Sequence, residues 1–192
     1  ILYGANSKTA FTVLDQNFEN ENIIEITPAV NNSNPVLYSK VYKGEDFGNR
    51  KVGYLFYTNF YENYNQSLYN VFSEFKSEGI TDLVLDLRYN PGGGLSAATY
   101  LASLIAPVAE VQKKSAFTIM SYNDFVNDEY DANKWDRSDY LGEYNSTKYS
   151  NPINANVNNG DLKLYIITTS SSASASELLT FCLKPFMTVE QI

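Results

Sequence analysis

None of the 192 residues is histidine. That absence alone excludes a Ser-His-Asp triad, a Cys-His pair and a His-ligated zinc site. A serine nucleophile in this chain would need another group to take its proton, and lysine is the usual substitute. Cysteine is nearly missing too, and the single Cys182 rules out an intramolecular disulfide. Positive charge is scarce: 14 Lys and Arg face 22 Asp and Glu, for a net charge of −8. Lys and Arg do not cluster beyond pairs such as Lys113-Lys114. A surface of that sign repels phosphate backbones, so nucleic acid is not an expected partner. No apolar run approaches the ~18 residues of a membrane span. No signal peptide opens the chain, and a start on Ile1 without Met leads to the expectation of a processed or excised piece.

What is present is a globular composition. Hydrophobic residues make up 44% of the chain, enough to build a core. Tyr (16) and Phe (11) are abundant. Such rings bury large areas, and the tyrosine hydroxyl suits clefts. Residues 9–27 read as two short strands, TAFTVL and NIIEIT, joined by a polar turn. NNSNP at 31–35 is a turn or linker signal, dividing the chain at 1–30 and 31–192. Beyond it VGYLFY (52–57) reads as a buried strand. Leu68, Val71, Phe72 and Phe75 then fall at helical spacing, and Gly79 stops that helix. A strand at 82–88, a helix at 95–107, a strand at 162–169, a helix at 176–186 and the start of a strand in MTVEQI complete the order. Alternation of this kind predicts an α/β fold with a mostly parallel sheet and right-handed crossovers. Residues 121–160 are polar and without a clean period, which reads as a surface excursion or a lid.

Two stretches at strand ends carry candidate chemistry. DLRYNPGGG (86–94) runs from a strand into a helix. Its glycines allow positive φ and bare N–H groups, and the helix N-terminus adds partial positive charge. That makes a cradle for an anion or a developing oxyanion, although the same residues would also make a plain tight turn. Neither phosphate-binding glycine pattern is present. The second stretch is TTSSSASASELL (168–179), small residues that follow the apolar run Leu164–Ile167. Ser174 and Glu177 fit an S-x-x-E capping box. The alternative is a serine exposed on a strand-to-helix turn, with neighbouring amides forming an oxyanion hole. Both stretches belong at the C-terminal edge of one parallel sheet, where α/β proteins place their sites.

In combination DLRYNPGG and ASASE, with the leading segment KVGYLFYTNF, resemble peptidase family S41, the carboxyl-terminal processing or tail-specific proteases. The resemblance runs from about residue 35 to the end. It implies a ClpP/crotonase-like ββα catalytic core, preceded by the last strands of a PDZ-like domain in residues 1–30. It implies Ser174 as nucleophile, backbone amides of Gly93 (or Gly92) and Ala175 as the oxyanion hole, and Glu177 in support. It implies no metal and no cofactor. The base of this family is a lysine roughly 25 residues past the serine, which falls beyond Ile192. Lys184 matches a lysine without a catalytic role, and Pro185 departs from an acidic position of the family. The expected reaction is that of a serine endopeptidase with a Ser/Lys dyad, cleaving near the C-termini of proteins. Residues 1–192 are expected to be inactive without the lysine. Partners would be polypeptides with extended, apolar C-termini, and the location the bacterial periplasm or cell surface. The competing readings are a non-catalytic peptide-binding module on the same fold and, more remotely, a crotonase-like acyl-transfer or hydratase enzyme.

Overall fold

A computed structural model describes residues 9–18, 20–27 and 33–192. The chain divides into two compact units, Ile1–Ser33 and Asn34–Ile192. In the first, β1 (Thr9–Leu14) and β2 (Glu21–Ile26) pair antiparallel from Thr9↔Ile26 to Leu14↔Glu21. Asp15 and Asn20 close this hairpin through an Asn20 N–H₂ donor on the Asp15 carboxylate. Every residue of β2 is exposed.

The second unit is built on a five-stranded sheet in the order β3-β4-β5-β8-β9. β3 (Val36–Tyr42) is antiparallel to β4 (Val52–Tyr57). β5 (Asp82–Asp86), β8 (Lys163–Ile167) and β9 (Val189–Gln191) continue parallel to β4. The expected largely parallel α/β sheet is therefore present. β3 was not anticipated: its exposure follows no strict alternation, and the Asn- and Pro-rich turn before it hides its start. Leu83 and Leu85 of β5, which share one face of this central strand, are completely buried.

Each crossover steps the same way across the sheet. Right-handed connections then place α1 (Asn65–Glu78), α2 (Leu95–Ile105) and α5 (Ala175–Leu183) on one face. α2 accordingly packs against both α1 and α5. Nine of its eleven residues are buried, and Ala97, Ala98, Ala102 and Ser103 let its neighbours approach closely. Leu68, Phe72 and Phe75 form the inward stripe of α1, and Gly79 ends it in the left-handed conformation, as the spacing predicts.

Between α2 and β8 the chain is more ordered than its composition suggests. α3 (Val108–Gln112) extends from Pro107. β6 (Ala116–Ile119) pairs with β7 (Ser138–Tyr140), and α4 (Asp124–Asn133) spans the gap between them. Asn123 caps α4 by accepting the Val126 N–H at 3.0 Å. A 3-10 turn at Pro152–Ala155 packs back on α1 and α2. Asn156 and Asn158 are buried and donate to the last carbonyls of α2, at 2.8–3.0 Å. The polar residues of this excursion therefore close the C-terminus of a buried helix.

Candidate active site

Strand register decides which turns meet. Phe56 of β4 lies level with Asp86 of β5, and Asp86 with Ile167 of β8. The turns that follow β5 and β8 thus emerge side by side at one edge of the sheet. Hydrogen bonds then join them. Leu87 N–H donates to Ile167 O at 2.9 Å, and Ser172 Oγ donates to Leu87 O at 2.7 Å. Thr169 Oγ1 donates to Arg88 O.

Asn90 is the centre of this joint and is completely buried. Its side-chain N–H₂ donates to Tyr57 O at 3.1 Å, and its Oδ1 accepts the Gly92 N–H at 2.9 Å. Its backbone carbonyl accepts Ser176 Oγ at 2.9 Å and Ala173 N–H at 3.3 Å. One asparagine therefore ties the end of β4, the glycine turn and the start of α5 together.

The glycines meet two backbones. Gly92 has φ 105°, and a Cβ there would stand 2.7 Å from Ser174 Cβ and 2.9 Å from Ala175 N. Gly93 has φ 144°, and a Cβ there would stand 2.4 Å from Phe60 O. Phe60 N–H donates to Gly92 O at 3.0 Å and Gly94 N–H to Phe60 O at 2.8 Å, so the segment after β4 clamps the glycine turn from the other side. No side chain would fit at either glycine.

Ser174 is exposed at the head of α5 with φ 53° and ψ −114°. A non-glycine residue with that φ is strained, as at the sharp strand-to-helix turns that present a nucleophile. Glu177 holds the turn: its Oε2 accepts the Ser174 N–H at 2.8 Å, and the two residues form the capping box. Ala175 is buried directly behind the serine. Among the described residues, the N–H groups of Gly93 and Ala175 meet no acceptor, whereas that of Gly92 is taken by Asn90. The N-termini of α2 and α5 both open at this spot, which concentrates partial positive charge there. Lys184 follows the far end of α5, about 15 Å along the axis from Ser174 at the usual helical rise, and lies over the Phe181 ring.

Below the glycine turn, Asp86 is completely buried and accepts from Arg88 and from the Tyr54 hydroxyl, the latter at 2.6 Å. Burial pushes this carboxyl up, but the bonds from Arg88 and Tyr54 outweigh it and hold its pKa below the ordinary value. Beside Glu177, a cleft of about 340 Å³ is lined by Thr168, Ser172, Thr180 and Phe181. All five residues singled out from the sequence, Gly92, Gly93, Ser174, Ala175 and Glu177, thus gather at one edge. Sequence reasoning did not single out Asn90, Phe60, Ser172 or Ser176. Asn90 carried the only local signal, an Asn two residues before a glycine that needs an N–H acceptor.

A mostly parallel sheet whose two adjacent strand-to-helix turns meet at a strained, exposed serine defines a class of α/β proteins with an edge site built on backbone amides. The chain belongs to peptidase family S41, whose sequence pattern matches residues 51–186. A putative S41 protease from Bacteroides fragilis superposes over 95% of this chain and 45% of its own, with a TM-score of 0.65 and 25% identity. A photosystem II D1 C-terminal processing protease covers 94% of this chain and 42% of its own, with a TM-score of 0.55 and 18% identity. The chain thus spans less than half the length of these two solved proteins. No curated protein sequence matches it.

Proposed function

We propose that this chain carries the nucleophile and oxyanion parts of a serine endopeptidase of the carboxyl-terminal processing type. The observation that carries the reading is the strained φ of Ser174 beside two amides that meet no acceptor among the described residues. Ser174 is the nucleophile. Gly93 and Ala175 donate to the oxyanion. Gly92, whose N–H is held by Asn90, shapes the turn instead. Glu177 keeps the serine in its strained conformation. The base is a lysine supplied by chain following Ile192, whose carbonyl accepts the Thr168 N–H at 2.9 Å on this same edge. Lys184 is excluded by its place at the other end of α5.

The chemistry follows from these roles. A desolvated lysine is neutral at working pH and takes the Ser174 proton as Oγ attacks a peptide carbonyl. The tetrahedral oxyanion rests on the Gly93 and Ala175 amides, each such donor contributing about 10²–10³ in rate. The lysine returns its proton to the leaving amine, and water hydrolyses the acyl-enzyme. Residues 1–192 alone are inactive in this reading. The β1–β2 hairpin is the end of a PDZ-like domain, which would hold an extended, apolar C-terminus by strand addition. The proposed location, bacterial periplasm or cell surface, rests on the family resemblance. Among the described residues no helix is long and apolar enough to cross a membrane.

The test is cleavage of an unfolded polypeptide by the full-length protein. Loss of cleavage in Ser174→Ala, with an unchanged circular dichroism spectrum, is the expected result. The capping box favours a second reading, in which Ser174 only starts a helix and the protein binds peptides without cutting them. Undiminished cleavage by Ser174→Ala sinks the first reading; peptide binding with no turnover in the full-length protein establishes the second.

A further inference from the structure

Asn65 and Thr99 are 2% and 3% exposed, and their Oδ1 and Oγ1 meet no donor among the described residues. A buried polar atom without a partner costs about 1–3 kcal/mol, so each one needs an explanation. Both residues line the same pocket, of about 270 Å³. Its rim is acidic: Glu62, Asp139 and Glu143 line it as well. Each carboxylate receives one neutral donor. Ser96 Oγ reaches Glu62 at 3.1 Å, Thr118 Oγ1 reaches Asp139 at 2.8 Å, and Tyr140 N–H reaches Glu143 at 3.3 Å. Among the described residues none of the three pairs with Lys or Arg.

We propose that this pocket takes a basic side chain of the bound polypeptide, arginine in preference to lysine. The inference rests on the peptidase reading above and names a substrate preference for it. The ligand's charge follows from three carboxylates without a cationic partner. Its shape follows from their spread, since among the described residues no cluster of acids is tight enough to hold a metal ion. Acceptors distributed over several walls match a planar guanidinium, whose N–H donors point outward in a fork, better than a compact ammonium. Tyr144 also lines the pocket, and an aromatic residue there suits a guanidinium through cation–π attraction. The volume lies below the roughly 300–1,000 Å³ of sites that enclose whole small molecules, and suits one side chain.

The position ties the pocket to the site. Ser96 lies three residues after Gly93, in the first turn of α2. Glu62 lies two residues after Phe60, which pairs with Gly93. A polypeptide with a carbonyl on the Gly93 amide therefore has neighbouring side chains within reach of the pocket mouth.

The test uses the full-length protein and three small probes, N-acetyl-arginine amide, N-acetyl-lysine amide and the uncharged N-acetyl-citrulline amide, followed by NMR. The arginine probe is expected to shift the Asn65 side-chain amide and the Thr99 backbone amide saturably. It should bind about tenfold or more tighter than the citrulline probe, with lysine between them. Glu62→Gln combined with Asp139→Asn should erase that difference, and Thr99→Val should weaken arginine binding without unfolding the protein. Absence of shifts at Asn65 and Thr99, or an arginine preference that survives the double substitution, overturns the proposal. Cleavage without any preference for arginine near the cut would remove this inference and leave the peptidase reading standing; arginine binding without cleavage would do the reverse.

Discussion

Asn90 makes five hydrogen bonds from a completely buried position, to partners 2 to 86 residues away in sequence. Asn90→Ala strands the Gly92 N–H and the Tyr57 carbonyl, and the expected loss is about 1–3 kcal/mol per stranded group, read as a lower urea midpoint. Cleavage should fall with it, because the glycine turn loses its anchor. Gly92→Ala is expected to be harsher: the new Cβ would press on Ser174 Cβ at 2.7 Å, at a φ of 105° that side chains rarely adopt. Backbone strain alone is about 1–3 kcal/mol, and a folded Gly92→Ala protein should have lost most of its turnover. Asp86 makes stability depend on pH. Its folded pKa is depressed below the unfolded 3.8. The Asp86–Arg88 contribution is therefore complete above that value and lost as pH falls through the folded one. Acid titration of unfolding should show a shallower fall below pH ~4 in Asp86→Asn than in the parent protein. At this scale Ser174 and Glu177 were legible as a four-residue motif, because a capping box is local chemistry. Asn90 was not, because three of its five bonds are long-range.

The elements that carry the site were the easiest to find. VGYLFY spans β4 from end to end, and Gly79 ends α1 where the helical spacing stops. Both follow from periodicities fixed by backbone geometry. β3 and α3 were missed, since an edge strand open to solvent and a five-residue helix leave little pattern to read. α4 was missed for a related reason. None of its residues is buried, so no apolar stripe marks it. It is held instead by Asn123 at its start and by the ring series Tyr122–Tyr130–Trp135, with centroids 5.3 and 5.5 Å apart. Amide exchange should reflect this contrast: residues 124–133 should exchange orders of magnitude faster than the buried helix α2, which opens only with the whole core. Equal protection in the two helices would mean that α4 is covered in solution.

The molecule as a whole is acidic, with a net charge of −8 and an isoelectric point near 4.5. It should be least soluble close to that pH, where self-repulsion vanishes, as a turbidity scan against pH would record. The same field attracts basic polypeptides, so the arginine preference at the 270 Å³ pocket should weaken as salt is raised. Sequence alone determined the α/β class, the mostly parallel sheet and the absence of histidine from these 192 residues, and through its motifs and the family resemblance it named Gly92, Gly93, Ser174, Ala175 and Glu177 as candidates. Each of these follows from composition, from local periodicity or from a motif a few residues long. Tertiary structure decided the rest: which glycine amide is left open, and that Asn65, Thr99 and three carboxylates share one pocket. Those facts depend on strand register and helix packing, which bring residues about 80 positions apart into contact and leave no trace in local sequence.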